Sequence, residues 1–185
     1  MEILDIGGGF PSGELHESTV EALKGTQNDP LGYKMMAEPG RHLCANSCYI
    51  LARVIGVRNK AGSKCYHLND SLYHAFNCVL MDNVNFGTLP DQFYGRIDHK
   101  QNHKVITAGD VEPADLFGMT CDGLDIISRK LMVPKDVQTG DWLSFGGMGA
   151  YTYGPRSRFN GMRSLVDVCE WEGDIGPYET KKPAA

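Results

Sequence analysis

Ile3-Leu4-Asp5-Ile6-Gly7-Gly8-Gly9-Phe10-Pro11 begins on apolar residues, runs into three glycines and closes on a proline. The apolar run predicts a short buried strand. Glycines at its end let the backbone turn tightly and approach a ligand without interference from a Cβ. Three in succession can aim their amide hydrogens at one anion, as a backbone nest does. A helix predicted over 12–24, with Glu14, Glu17 and Glu21 early and Val20 and Leu23 facing inward, would add its positive dipole end. A phosphate cradle after a strand is one reading of this pattern, and a glycine turn in a hairpin is the other.

Outward from the cradle, Gly25 to Pro30 carries loop chemistry, and Tyr33-Lys34-Met35-Met36-Ala37 reads as a second strand, closed by Glu38-Pro39-Gly40-Arg41. Strand, helix, strand is one βαβ unit. A parallel strand of this kind is buried between neighbours, which the residues before Ile3 do not provide. Over 43–55 a helix and a long strand fit equally well. From Val54 onward the pattern changes to short strands and turns: a turn over 59–63, alternation over 64–69 and an apolar run over 75–81. A long polar connection without regular structure follows over 82–103. Strands are expected over 104–108 and 112–117, a short helix over 124–131, a turn then a strand over 136–145, a strand over 165–169, and a frayed tail over 173–185. The sum is part of an α/β domain followed by a β-rich one.

Composition bounds the function. A net charge of −5 on 185 residues, with no basic tract, argues against a nucleic-acid partner. No apolar run reaches membrane-crossing length, and no charged leader or cleavage site stands at the N-terminus, so a cytoplasmic protein is expected. The six cysteines (44, 48, 65, 78, 121 and 169) form no Cys-x-x-Cys pair, and no metal site is expected. All but Cys121 read as buried thiols in a reducing compartment. None of the six histidines stands as an obvious ligand or base; His99 and His103 lie in a polar stretch.

Glu38-Pro39-Gly40-Arg41 is the second chemical element. An arginine beside a glycine, at a strand end next to a glycine loop, can lend its charge to the same anion. Glu38, about 30 residues past the glycines, could hold a cationic ring nitrogen. A salt-bridged turn is the alternative for the tetrapeptide alone.

These two elements are followed in order by Ala75-Phe76-Asn77-Cys78, Thr120-Cys121-Asp122-Gly123-Leu124-Asp125, Gly147-Met148-Gly149-Ala150-Tyr151-Thr152 and Phe159-Asn160-Gly161. The set resembles the pyridoxal-phosphate-dependent ornithine decarboxylase family, which joins an alanine-racemase-like (β/α)8 barrel to a C-terminal β-domain. The resemblance implies that 1–50 holds the last two barrel strands, 51–178 the β-domain and 179–185 a tail. In the family the glycine loop follows the seventh strand and Glu-Pro-Gly-Arg the eighth, the usual phosphate site of such barrels.

The resemblance also implies roles. Gly7, Gly8 and Gly9, with Pro39, Gly40 and Arg41, would bind the phosphate of pyridoxal phosphate, helped by the Tyr151 hydroxyl. Glu38 would pair with the pyridinium nitrogen and keep the ring an electron sink. Cys121 would reach across a homodimer interface to protonate the carbon that loses CO₂. Asp122, from the same neighbouring subunit, and Asp82 would hold the distal ammonium of a diamino acid. Cys121-Asp122-Gly123, where diaminopimelate enzymes usually read Cys-Glu-Ser, implies ornithine as substrate and putrescine as product. Two departures stand out: Met81-Asp82-Asn83 replaces the Tyr-Asp-His of many ornithine enzymes, and Tyr153-Gly154-Pro155-Arg156 replaces small residues. The family's Schiff-base lysine and ring-stacking histidine belong to earlier barrel strands, and no lysine here stands in a matching motif. The chain alone is therefore expected to be inactive. The second reading is a non-catalytic relative of the antizyme-inhibitor kind, and an antizyme-like regulator is a candidate partner.

Overall fold

Ile3 pairs with Lys34 and Asp5 with Met36, so β1 (Ile3–Asp5) and β2 (Lys34–Met36) form a parallel ladder joined by α1 (Glu17–Gln27). The structure, a computed structural model, describes residues 3–11, 15–27, 32–86, 93–97, 105–106 and 111–164. The βαβ unit is present, with two differences from expectation. First, α1 begins at Glu17 rather than at residue 12, because His16 starts it: the His16 carbonyl accepts from the Thr19 and Val20 amides, and its Nδ1 accepts from the Ser18 amide. Second, β1 is not buried, and Ile3 is 52% exposed. A parallel strand buries itself only when covered on both faces and flanked on both edges, and β1 has β2 alone as its partner among the described residues.

Past β2, the stretch that suits helix and strand equally divides into three. A short α2 (Gly40–Cys44) runs into a 3-10 turn (Ala45–Ser47), and then β3 (Ile50–Lys60) begins. After β3 come β4 (Ser63–Leu68), α3 (Asn77–Met81), β5 (Phe93–Ile97), β6 (Val105–Ile106), β7 (Val111–Phe117), β8 (Ile126–Pro134) and β9 (Trp142–Phe145). The strands from β3 onward make one seven-stranded sheet in the order β6-β5-β9-β3-β4-β7-β8. All its pairings are antiparallel except β4 with β7. The fold is thus an α/β unit followed by a β-domain.

Alternation along β3 buries Ile50, Ala52 and Val54 and exposes Leu51, Arg53 and Ile55. Tyr66 and Leu68 of β4, Leu116 of β7, and Leu143 and Phe145 of β9 join them in the core. Phe76, Phe86 and Phe145 meet edge to face with centroids 4.9–5.9 Å apart, the geometry favoured by aromatic quadrupoles.

Two expectations fail for physical reasons. The polar connection over 82–103 contains β5, whose Phe93-Tyr94 pair is strand-favouring but is surrounded by polar residues. The helix expected over 124–131 is instead β8. A bulge there turns Lys130 to φ 53° and leaves Arg129 and Lys130 exposed in succession. The slip leaves buried Ile127 and Leu131 four residues apart, the spacing of a helix face. Asp115 fills the bulge, accepting from the Lys130 amide (3.1 Å) and Arg129 Nη1 (2.9 Å). Among the thiols Cys65 and Cys78 are buried as expected, but Cys44 is only half-buried and Cys48 is exposed. The strand expected over 165–169, Cys169, His99, His103 and the tail lie outside the described residues.

Candidate functional site

The glycine loop and Glu38–Arg41 lie side by side because their strands do. Glu38 donates its amide to the Gly7 carbonyl at 2.9 Å, and the Gly40 amide bonds to the Glu38 carbonyl at 2.8 Å. Gly7 and Gly9 sit at φ +70° and +83°, where a side chain would be strained, and a Cβ on Gly8 would come within 3.0 Å of the Glu38 carbonyl oxygen. The cradle differs from the three-amide nest in one respect. The Gly7 amide is already bonded to Asp5 Oδ1 at 2.8 Å, and only the Gly8 and Gly9 amides lack an acceptor among the described residues. His42 Nδ1 donates to the Pro11 carbonyl at 2.8 Å, tying the far end of the loop to α2.

Arg41 gathers the rest. Its Nη2 forms an ion pair with Asp82, its guanidinium carbon lies 5.6 Å from the Tyr151 ring centroid, and its Nε is buried without a partner. Each neighbour is delivered by a specific local device. Asp82 caps the C-terminus of α3, its amide bonded to the Cys78 carbonyl. Asn77 anchors α3 by donating to the His74 and Thr152 carbonyls at 2.6 and 2.8 Å. Tyr151 follows β9 in a loop stitched to the Arg41 segment by Met148 N to the Cys48 carbonyl and Gly149 N to the Ala45 carbonyl. The seam is so close that a Cβ on Gly149 would lie 1.7 Å from the Cys44 oxygen. One guanidinium therefore meets a phenol ring and a carboxylate, on a segment whose backbone is bonded to the glycine loop through Glu38.

Cys121 and Asp122 form a second cluster, on the turn between β7 and β8. No hydrogen bond, ion pair or ring contact among the described residues links them to Gly7–Gly9, Arg41 or Tyr151. Buried Asp125 fixes the turn, accepting from the Leu72 amide (3.0 Å) and from the Thr120 amide and hydroxyl (3.0 and 2.6 Å). Asp122 accepts from the Leu124 amide at 2.9 Å and the Tyr73 hydroxyl at 2.5 Å. Those bonds, the backbone one first, lower its pKa, and the bond to Asp122 leads in pushing the Tyr73 phenol up to about 12. Tyr73 stacks on Phe159 at 4.0 Å, and Asn160 Nδ2 donates to Cys121 Sγ at 3.5 Å. The thiol is exposed. Tyr73 and Asn160 are additions to the residues singled out in the sequence. Asn160 lies in the Phe159-Asn160-Gly161 motif, while nothing in the sequence distinguishes Tyr73 from a core tyrosine.

A phosphate-bearing cofactor fits the first cluster by its donors: the Gly8 and Gly9 amides and the orphaned, buried Arg41 Nε. No group of three or more His, Cys, Asp or Glu suited to a metal occurs among the described residues, and no described helix is long and apolar enough to cross a membrane.

The chain is also similar to known proteins. Residues 17–149 match the family described as pyridoxal-dependent decarboxylase, C-terminal sheet domain. A chloroplastic ornithine decarboxylase from Nicotiana glauca is 36% identical over 176 residues, covering 91% of this chain and 39% of the relative. Antizyme inhibitor 2 from Xenopus laevis is 33% identical, covering 88% of this chain and 38% of that protein. The crystal structure of the arginine decarboxylase of Paramecium bursaria Chlorella virus superposes with a TM-score of 0.70 at 27% identity, covering 88% of this chain and 41% of that one. The chain thus spans about two fifths of the length of the relatives it matches. Because the family match takes in well over half of the sequence, the chain belongs to the pyridoxal-dependent decarboxylases of the ornithine, diaminopimelate and arginine group and carries their C-terminal sheet domain.

Proposed function

We propose that this chain supplies the phosphate grip, the proton donor and the ammonium-binding carboxylates of a pyridoxal-phosphate-dependent decarboxylase that converts L-ornithine to putrescine. The observation that carries the reading is Arg41, which is paired with a carboxylate, keeps its own Nε buried and unpaired, and follows the Glu38 segment that is bonded to the glycine loop. Pyridoxal phosphate, when bound, supplies the electron sink that loss of CO₂ requires. The Gly8 and Gly9 amides, Arg41 and the Tyr151 hydroxyl hold its phosphate, with Gly7, Pro39 and Gly40 shaping the backbone around it. Glu38 keeps a proton on the ring nitrogen. Cys121 Sγ delivers a proton to the carbon that loses CO₂, reaching from a second copy of the chain, and Asn160 steers the thiol.

Asp82, with Asp122 of that second copy, holds the distal ammonium; two carboxylates on one cation favour a basic substrate. The shared, dimeric site is supported by apolar side chains left exposed near Cys121 and Asp82, with Leu124 at 74%, Met81 at 70% and Phe159 at 36%. The free thiols suit the reducing, cytoplasmic setting included in this proposal.

The test is a chimera in which this chain replaces the matching part of the Nicotiana glauca ornithine decarboxylase. Ornithine-dependent putrescine formation is expected, and Cys121→Ala should lower turnover by about 10²–10⁴-fold while cofactor absorbance stays unchanged. Preference for lysine or arginine would overturn the substrate assignment. A second reading, regulation by protein binding, is favoured by the similarity to antizyme inhibitor 2. A folded, dimeric, cofactor-loaded chimera inactive on all three amino acids would replace the first reading with the second.

A further inference from the structure

We propose that Arg41 and Asp82 form a latch that couples anion binding to diamine binding. On the reading above, the two side chains serve opposite ends of the ligand set: Arg41 takes a phosphate, Asp82 a distal ammonium. In this structure they are bonded to each other, with Arg41 29% and Asp82 12% exposed. Each therefore occupies an atom of the other that a two-pronged ligand would use, Nη2 on Arg41 and Oδ1 on Asp82. An anion that takes the orphaned Nε takes Nη2 with it, because guanidinium groups grip oxyanions with two prongs. Nη2 is the nitrogen now on Asp82.

Removing it leaves a largely buried carboxylate without its cation, which favours the arrival of an ammonium. The converse holds equally, since coupling between two sites is reciprocal. The elements around the pair can accommodate the exchange without refolding. α2 is held by the seam at Gly149 and α3 by Asn77, so only the two side chains need to move.

The inference rests on the reading above for the two ligands' chemistry, a phosphate on Arg41 and an ammonium on Asp82, so inorganic phosphate and putrescine are the probes. Calorimetric titration of the chain should show putrescine binding tightened about 5- to 10-fold by saturating phosphate, and phosphate binding tightened equally by putrescine. Asp82→Asn should bind phosphate about 5- to 10-fold more tightly than the unmodified chain, and Arg41→Gln should bind putrescine more tightly in the absence of any anion. A purely structural role for the pair predicts the opposite sign in both variants, with retained folding checked by circular dichroism. Unchanged or weakened phosphate binding in folded Asp82→Asn would overturn the latch, as would putrescine affinity indifferent to phosphate, or no phosphate binding by any variant. Pyridoxal phosphate binding no more tightly than phosphate would count against the cofactor reading alone, and the phosphate arm would still decide the latch.

Discussion

Gly118→Ala is the most demanding test of how the Cys121 turn is held. A Cβ at position 118 would sit 2.1 Å from Oδ1 and 2.2 Å from Oδ2 of Asp125, where ordinary contact begins near 3.4 Å. The carboxylate must then retreat by more than 1 Å. Its bonds to the Leu72 amide (3.0 Å), the Thr120 amide (3.0 Å) and the Thr120 hydroxyl (2.6 Å) cannot all survive such a move. Hydrogen bonds to a charged group are worth about 1.5–3 kcal/mol each, and relaxation of the turn recovers part of that loss. A destabilisation of about 3–5 kcal/mol is expected, against a total of about 5–15 kcal/mol for a folded domain. The backbone is not the cause, since Gly118 lies outside the left-handed region and alanine suits its φ. Urea unfolding followed by far-UV circular dichroism gives the number. A cycle with Asp125→Ala isolates the mechanism: without the carboxylate, the added methyl should cost under about 1 kcal/mol. A loss below about 1 kcal/mol in Gly118→Ala itself, or equal losses in both backgrounds, would refute the reasoning.

Gly149→Ala, whose Cβ would fall 1.7 Å from the Cys44 carbonyl oxygen, should part the Tyr151 loop from the Arg41 segment. Hydrogen exchange at the Met148 and Gly149 amides should speed up at least tenfold, on the order of the 1.4 kcal/mol that a tenfold change represents, and unchanged protection would contradict the seam. Burial pushes the Cys78 thiol up to about 12, whereas an unfolded thiol titrates near about 8.5. The unfolded state therefore loses its proton first, and stability should be flat below about pH 8.5 and fall toward about pH 12, by at most about 1.4 kcal/mol per unit. Cys78→Ala should flatten that slope between about pH 9 and 11; an unaltered slope would assign it elsewhere, to buried Tyr66 for instance, whose pKa is also raised.

Much of the candidate site's geometry was readable because it is local in sequence. Gly7-Gly8-Gly9 and Glu38-Pro39-Gly40-Arg41 each end a strand, and parallel pairing of those strands is enough to bring them together. Asp82 and Tyr151 reach Arg41 only through devices spread along the chain: the Asn77 amide on the Thr152 carbonyl and the seam at Gly149. Their types could be matched to a family, but their meeting could not be derived from spacing. The same holds for Tyr73, which gives no sign in sequence that its hydroxyl ends on Asp122. β8 failed for a different reason. Periodicity reports a strand only while the pairing keeps its period of two, and the bulge at Lys130 breaks it.

The glycines show where such reading stops. Gly7 and Gly9 occupy positive φ in a run of three, so their role follows from the backbone freedom that the run announces. Gly118 and Gly149 are required for space, one by a carboxylate from across a turn and one by a carbonyl from another segment. Either would be an unremarked glycine in a sequence that contains 22 of them. Yet Gly118 is what lets Asp125 fix the turn that carries Cys121 and Asp122, and Gly149 is what lets Tyr151 stand beside Arg41. The candidate residues are announced by their own motifs, but the placing of the Cys121 turn and of Tyr151 depends on two missing methyl groups.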